Sequence, residues 1–500
     1  MQVNKLLRYG ALAVFVGAGV GAAHADEATT TGGIKIKSSD GNFDASIGGR
    51  VHFDGEVIVP DHGSSFGTGS SNSSCVDTKT NKVLFGGACP GGLPVDGSGN
   101  PTIGGDPVAT AKLRNGGEKS SFYFRRVFLS LSGHLYGWQY LIDEDLAATG
   151  TNGLNDAWVA HSVFGGDTFY FGQHKPWRSM EEIASNNITP FMERSIVSDS
   201  GGGSTGVYGG RDYEDGVFYK WGKDFGHSNL WAGASVYTLG KASNLAAGAP
   251  SVTVTTTNVN QTTGTTVVTT TTTPAQAEGT GYNVRLAFAP LIGDGYWLHI
   301  GAAGSIDNAD YSGGFTALSS GYQFVGRQGA TATLASYATS PLGNNPNVTT
   351  IAGEVAGAFG PAYVEAEFAN ARYRQTGVTT NTVQAGTVIA AYAITGETRP
   401  YNKDLGTYGA IKPSHAFGAL EVLARFDAGR NDGGGVGKFI GSNVPSGATT
   451  DRLYSATAGV NYYINPAVRF MLNYMHGSFD SGVKGKDNAN SFEGRISLLF

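Results

Sequence analysis

Six arginines stand where they could act on an anion together: Arg50, Arg126, Arg285, Arg425, Arg469 and Arg495. Each lies in a stretch where apolar and polar residues alternate, and each takes a polar position. Asp44, Glu365, Glu367, Glu421 and Glu493 share those polar faces. A guanidinium stays charged at physiological pH and grips an oxyanion through two N–H groups at once. A water-filled space lined in this way attracts anions and lets them pass. The other reading of each arginine is a partner for a neighbouring acid on a solvated wall. Bond-making chemistry finds less support: no His-Glu-x-x-His pattern or close histidine pair is present to hold zinc. Gly201-Gly202-Gly203 and Gly433-Gly434-Gly435 lack the following Lys-Ser/Thr of a phosphate cradle. The expectation is no enzyme and no metal or other cofactor, with a barrel hydrolase kept as a rival.

Such arginines need elements that send alternate residues to opposite faces. From Phe43 to Asp54 the odd positions are Phe, Ala, Ile, Gly, Val and Phe, and the even ones include Asp44, Ser46, Arg50, His52 and Asp54. That is a period-two strand with one apolar face, and the pattern recurs at Tyr282 to Phe288, Tyr454 to Tyr463 and Phe492 to Phe500. About sixteen such segments can be counted, of roughly ten residues each, the length that crosses a bilayer at a tilt. Two of them are placed near 386–396 and 417–427, and the last near 490–500. Short connections at Tyr136-Gly137, Gly165-Gly166, Gly360-Pro361 and Asn465-Pro466 alternate with long ones near 58–119, 174–211, 239–279, 306–349 and 429–450. The pattern predicts an all-β transmembrane antiparallel barrel over 43–500, with short turns at one end, long external loops at the other and an aqueous channel within. One pair resists the parity argument: Arg125 shares the face of Val127, Leu129 and Leu131, so either a bulge turns both Arg125 and Arg126 inward or Arg125 lies at a membrane rim.

Composition agrees. Glycine is 76 of 500 residues and charged residues are 15%, against a usual ~25% charged. Mean hydropathy is −0.14, and after residue 25 no apolar run reaches the ~18 residues a spanning helix needs. Lys5 and Arg8 precede the apolar stretch Gly10 to Ala22, and Ala23-His24-Ala25 offers small residues at the two positions a signal peptidase reads. Residues 1–25 are therefore expected to be a signal peptide and 26–42 an N-terminal periplasmic segment. Cleavage would lower the basic count from 34 to 32 against 40 acids, a net charge near −8 that argues against nucleic acid as a partner. Cys75 and Cys89 sit in one Gly/Ser/Pro-rich external segment. They read as a disulfide clasp closing a loop of roughly 15 residues, worth ~3 kcal/mol in the chain-entropy account, or as two unpaired thiols. The Thr-rich run at 252–273 reads as a solvated loop or hairpin.

Six segments resemble the phosphate-selective porin O and P family of outer-membrane channels. They are Gly33-Ile34-Lys35-Ile36 through Arg50; Phe124-Arg125-Arg126-Val127 with Tyr136-Gly137-Trp138; Asn155-Asp156-Ala157-Trp158; Gly172-Gln173-His174-Lys175-Pro176 through Glu193-Arg194; Thr395-Gly396-Glu397-Thr398-Arg399-Pro400-Tyr401 with Gly418 to Glu421; and Gly459 to Tyr463 with Val468-Arg469-Phe470. The resemblance implies a homotrimeric porin in the outer membrane of a Gram-negative bacterium, embedded in its lipid, passing small hydrophilic or anionic solutes. It implies that the third external loop, here 174–211, folds inward to narrow the pore. It also implies an anion site: Arg50, Arg125 and Arg126 match the family's arginines, Asp156 matches an acid beside them, and Lys175, Arg178, Asn187 and Arg194 belong to the constriction segment. One departure stands out. Where the family carries a lysine in that loop, this chain reads Ser185-Asn186-Asn187, which removes one charge-assisted contact to phosphate. The rival to a channel is an anchor whose external loops adhere.

Overall fold

A strand with one apolar and one polar face can satisfy both where lipid lies outside and water inside. The computed structural model describes residues 25–29, 34–60, 73–77, 83–85, 102–103, 106–112, 119–147, 153–198, 213–239, 252–259, 266–273, 278–310, 319–325, 331–338, 347–375, 378–432, 437–439, 442–443, 451–481 and 485–500. Most of the expected signal peptide and Cys89 lie outside them. Sixteen strands form the barrel: β1 Phe43–Pro60, β2 Lys119–Leu135, β3 Trp138–Asp145, β4 Leu154–His161, β5 Asp167–His174, β6 Glu214–Asp224, β7 Asn229–Thr238 and β8 Glu278–Gly293. The second half is β9 Tyr296–Asp310, β10 Asn347–Phe359, β11 Ala362–Gln375, β12 Val378–Ala393, β13 Ala419–Asp432, β14 Asp451–Asn465, β15 Val468–Ser481 and β16 Gly485–Leu499. Each pairs antiparallel with its sequence neighbour, and β1 also pairs with β16 to close the cylinder. Gly49 and Phe500 exchange two backbone hydrogen bonds at that seam, of 2.8 and 3.0 Å. Ile34–Ser38 pairs with the start of β1, and Ala25–Thr29 pairs with Ile34–Ser38 in turn.

The faces follow the sequence parity. In β8, Val284 and Leu286 are 53% and 56% exposed while Arg285 between them is 0% exposed. No described helix is long and apolar enough to cross a membrane. Tyr136 and Gly137 make the β2–β3 turn with φ of 49° and 81°, the pair of positive values that matches a two-residue turn to strand twist. Several strands outrun their expected ends. β12 starts at Val378 rather than near 386, β16 at Gly485 rather than near 490, and β1 continues to Pro60. Hydrophobic alternation marks the lipid-facing band alone; beyond it the ladder continues on backbone hydrogen bonds, which no side-chain pattern reveals.

The connection between β12 and β13, residues 394–418, lies at the short-turn end yet is long, and it turns back into the lumen. Glu397 fastens its base. The carboxylate accepts from the Ser414 amide at 3.0 Å and the Ser414 hydroxyl at 2.7 Å, and Thr395 donates to it as well. Burial pushes this carboxyl up, but those donors outweigh it and hold Glu397 down at about 2. A carboxyl that ionises more readily in the folded chain stabilises the fold above the ordinary glutamate range and stops doing so as pH falls through the folded value. Glu397→Gln should therefore lower the thermal unfolding midpoint at neutral pH, and the difference from the parent should shrink between about pH 4.5 and 2. Unfolding scans in detergent across that range check this, and a difference independent of pH would count against it.

Candidate functional site

A loop inside a barrel brings carbonyl groups that neither strand pairing nor bulk water satisfies, so the wall has to supply donors. Residues 175–198 follow β5 and lie within the lumen, most of them buried. A single helical turn, α1 (Met180–Ile183), starts at Ser179, whose hydroxyl accepts from the Glu182 amide. The amides of Met180 and Glu181 donate to the carboxylates of Glu354 on β10 and Glu367 on β11, each at 2.9 Å. Phe191, Met180 and Ala184 pack among Ile389, Leu423 and Tyr408.

Five side chains then take five loop carbonyls. Arg399 donates to Ile188 at 3.0 Å, Arg469 to Thr189 at 3.0 Å and Asn461 to Pro190 at 2.8 Å. Arg495 donates to Met192 at 2.9 Å and Arg425 to Glu193 at 2.6 Å. The Glu193 carboxylate is gripped from the opposite side by Arg125, at 3.1 and 3.2 Å. Arg194 closes the loop on itself through the carbonyls of Glu181 and Ala184.

Of the two readings open for each lumen arginine, four of the six take the one in which the guanidinium is held by partners of the protein. Arg425, Arg469 and Arg495 are held by the loop, and Arg495 also chelates Asp54 at 2.7 and 2.8 Å. Arg285 binds Glu354 and the carbonyls of Leu405 and Gly406. Those two carbonyls belong to the second inward segment, 394–418, which meets the loop where the Thr407 hydroxyl donates to Met180 O at 3.0 Å. Gly406 adopts φ +58°, and a Cβ there would come within 3.2 Å of Ala287 Cβ and of the Trp231 ring, so the segment approaches the wall closely because it carries no side chain at this point.

Arg50 and Arg126 are left. Arg126 faces inward, 6% exposed, and makes no ion pair or hydrogen bond with any described residue. Arg125, Arg495, Arg194 and Glu193 are the charges acting on it. Arg50 lies 3.4 Å from Asp143, and its guanidinium sits 3.6 Å over the Phe128 ring. The parity puzzle resolves as a bulge: His52 pairs with Arg126 and Phe53 with Phe124, so Arg125 is the extra residue and points inward, 0% exposed. Asn187 reaches the same wall, its side-chain oxygen 3.2 Å from His52 Nε2.

The other expected residues stand apart from this group. Asp156 lies 2.6 Å from His174 Nδ1 on the β4–β5 wall. Lys175 donates to Glu182 O at 3.4 Å and faces the Tyr213 ring, and Arg178 lies 3.7 Å from Glu182 and 3.4 Å from the Tyr237 hydroxyl. Both secure the root of the loop. There Trp177 covers Gly233, where a Cβ would come within 2.7 Å of its ring. His52 was legible as an inward residue from parity, but nothing in the sequence said that the loop would touch it. Arg399 lay in a recognised motif without an evident partner. Ser414, His415 and Glu397 do come together, but serine and glutamate approach the same imidazole nitrogen, Nδ1, which leaves no serine-to-histidine-to-acid relay. Among the described residues no three His, Cys, Asp or Glu side chains form a metal site, and the Cys75–Cys89 clasp lies outside them.

The sequence model of the phosphate-selective porin O and P family matches residues 105–496. Porin O of Pseudomonas aeruginosa is 24% identical over 413 residues, covering 77% of this chain and 84% of that protein. Among solved structures, in-vitro folded OmpT, an outer membrane protein of Vibrio cholerae, aligns over 92% of this chain and 98% of its own at 10% identity and a TM-score of 0.47. The outer membrane channel DcaP of Acinetobacter baumannii aligns over 94% and 100% at 12% identity and 0.46. An anion-selective porin from Comamonas acidovorans aligns over 92% and 100% at 11% identity and 0.43.

Removing a carbonyl staple should loosen the loop. Arg469→Ala leaves the buried Thr189 carbonyl unpaired, at a cost of about 1–3 kcal/mol. Single-channel conductance in planar bilayers should rise and become noisier. Parent-like conductance and noise would show that the loop is held by its apolar packing instead.

Proposed function

The chain belongs to the phosphate-selective porin O and P family, and we propose that Arg50 and Arg126 form the anion-attracting site of its lumen. The protein is an outer-membrane channel for small hydrophilic solutes and not an enzyme. The observation that carries the proposal is the guanidinium of Arg126, which has no hydrogen-bond or ion-pair partner among the described residues. A buried charge without a partner costs several kcal/mol, and a passing anion offsets that cost where a neutral or cationic solute does not. Arg50, side chain 14% exposed, stands within reach of water beside it. Asn187 occupies the place of the family's lysine, so the site attracts anions with one cation fewer.

Arg50→Ala/Arg126→Ala should shift the reversal potential in asymmetric salt toward cation preference, since the lumen acids remain. A parent-like reversal potential with unchanged phosphate block would leave general diffusion as the better reading. Asn187→Lys should strengthen phosphate block by about an order of magnitude, the worth of one charge-assisted contact; no change would mean that Asn187 does not face the solute.

The same reading includes three copies meeting on one side. β3, β4 and β5 have 8 residues each, whereas β8 and β12 have 16. A tilted strand needs ~9–11 residues to cross the hydrocarbon, so the low sector fits a protein neighbour better than lipid. Its outward face is apolar, with Ile142, Val159 and Phe171 exposed. Val159→Asp should convert the native oligomer to monomer on analytical ultracentrifugation in detergent, and an unchanged oligomer would place the contact elsewhere.

A further inference from the structure

Within the second inward segment, Tyr401 pairs with Tyr408 and Asn402 with Thr407, so Lys403 to Gly406 form the tip of a short hairpin. That tip is tied to the short-turn mouth of the barrel. Lys403 Nζ donates to the Asp224 carboxylate at 2.7 Å and to Gly226 O at 3.2 Å, and Lys220 Nζ lies 3.6 Å from the Asp404 carboxylate. The Lys403 and Asp224 side chains are 33% and 52% exposed, so water reaches this pair. Farther along the hairpin the contacts are buried. Arg285 donates to Leu405 O at 3.2 Å and Gly406 O at 2.6 Å, and the Thr407 hydroxyl donates to Met180 O at 3.0 Å, at the root of the inward loop. The Met180 amide donates to one oxygen of Glu354 at 2.9 Å, and Arg285 holds the other at 2.6 Å. A closed circuit results: Arg285, Gly406, Thr407, Met180, Glu354 and back to Arg285. His299 braces it, with Nε2 3.0 Å from Glu354 and Nδ1 2.9 Å from the Tyr401 hydroxyl.

We infer that this hairpin is a strap that positions the root of the inward loop, and that the ion pair between Lys403 and Asp224 is the latch that keeps the strap in place. Arg285 meets two successive carbonyls with one rigid, planar guanidinium, so it holds both only while the turn at 403–406 keeps its shape. The latch and the Lys220–Asp404 pair sit on the two residues that begin that turn. Trp231 adds a third tie by donating to Asp404 O at 2.9 Å. Once the turn changes shape, the Gly406 carbonyl leaves the guanidinium plane and Thr407 moves with it. Met180 O then loses its donor, although the loop itself has not been touched. Between the exposed pair and the loop contact lie only three residues, Asp404, Leu405 and Gly406. Charge at the short-turn mouth therefore sets how firmly the loop is seated deep in the lumen.

Single-channel recording in planar bilayers tests this by counting brief excursions above the main conductance level. Lys403→Ala should raise their frequency about two- to fivefold, the range that a half-exposed ion pair supplies. The charge exchange Lys403→Asp/Asp224→Lys should bring the frequency back toward the parent value. Thr407→Val keeps the side-chain volume but cuts the contact to Met180, so it should raise the frequency by itself and leave no further response to Lys403→Ala. Thr407→Ser keeps the hydroxyl and should behave as the parent, which controls for folding. If Lys403→Ala multiplies the frequency by the same factor in the parent and in Thr407→Val, tip and loop act independently and the inference is overturned. A parent-like frequency in either Lys403→Ala or Thr407→Val overturns it as well.

Discussion

Irregular backbone placed inside a membrane barrel must have its carbonyl groups met by the wall, and that requirement organises this lumen. The inward loop cannot join the strand ladder, and it has left the bulk water that external loops use. Arg399, Arg469, Asn461, Arg495 and Arg425 meet its carbonyls in sequence from Ile188 to Glu193. Each guanidinium presents several N–H groups in a fixed plane, so one arginine can hold a carbonyl and an acid together, as Arg495 does with Met192 and Asp54. The loop is thereby pressed against β13 to β16 and contacts β1 and β2 through two groups, Asn187 and Glu193.

The same requirement decides which charges remain for solutes. Most arginines of the wall also stack on rings: Arg425 on Phe191, Arg469 on Tyr463, Arg285 on Trp231 and Arg399 on Tyr363. A guanidinium sandwiched between a ring and a carbonyl is fixed and largely spent. At β1 and β2 the bulge at Arg125 lets two consecutive arginines enter the lumen with different surroundings. Arg125 grips the loop through Glu193, whereas Arg126 has no hydrogen-bond or ion-pair partner among the described residues. A regular ladder would have sent one of them into lipid.

The second inward segment, from the opposite end, gives the constriction a floor as well as a wall. Trp231 and Trp297 donate their indole N–H groups to the carbonyls of Asp404 and Arg399, at 2.9 and 2.7 Å, so again lumen side chains satisfy irregular backbone. Loop and segment touch at Met180 and Ile188, which couples the position of one to that of the other. The β3–β5 side meets the loop at its root, where Trp177 packs on Tyr170 and His174, and Asp156, His174 and Trp158 there stay partly exposed.

By itself the sequence determined the barrel: strand parity, the alternation of short and long connections, the inward side of Arg285, Arg425, Arg469 and Arg495, and the membership carried by the segments around Arg126 and Glu397. These follow from local periodicity and from motifs, which need no knowledge of what lies across the lumen. What each inward residue does was decided by the tertiary structure. Parity places Arg126 and Arg469 on the same kind of face, yet among the described residues one has no partner and the other holds Thr189 O, because the difference lies in a loop some 280 residues distant in sequence from Arg469. Whether Arg125 enters the lumen depended on a bulge, a local defect that saves a charge from lipid and has no signature beyond the misplaced charge itself. The inward course of 394–418 was hidden for a related reason. Its base is tied locally by Glu397, but its place in the lumen comes from donors on β7, β8 and β9, which its own sequence does not show.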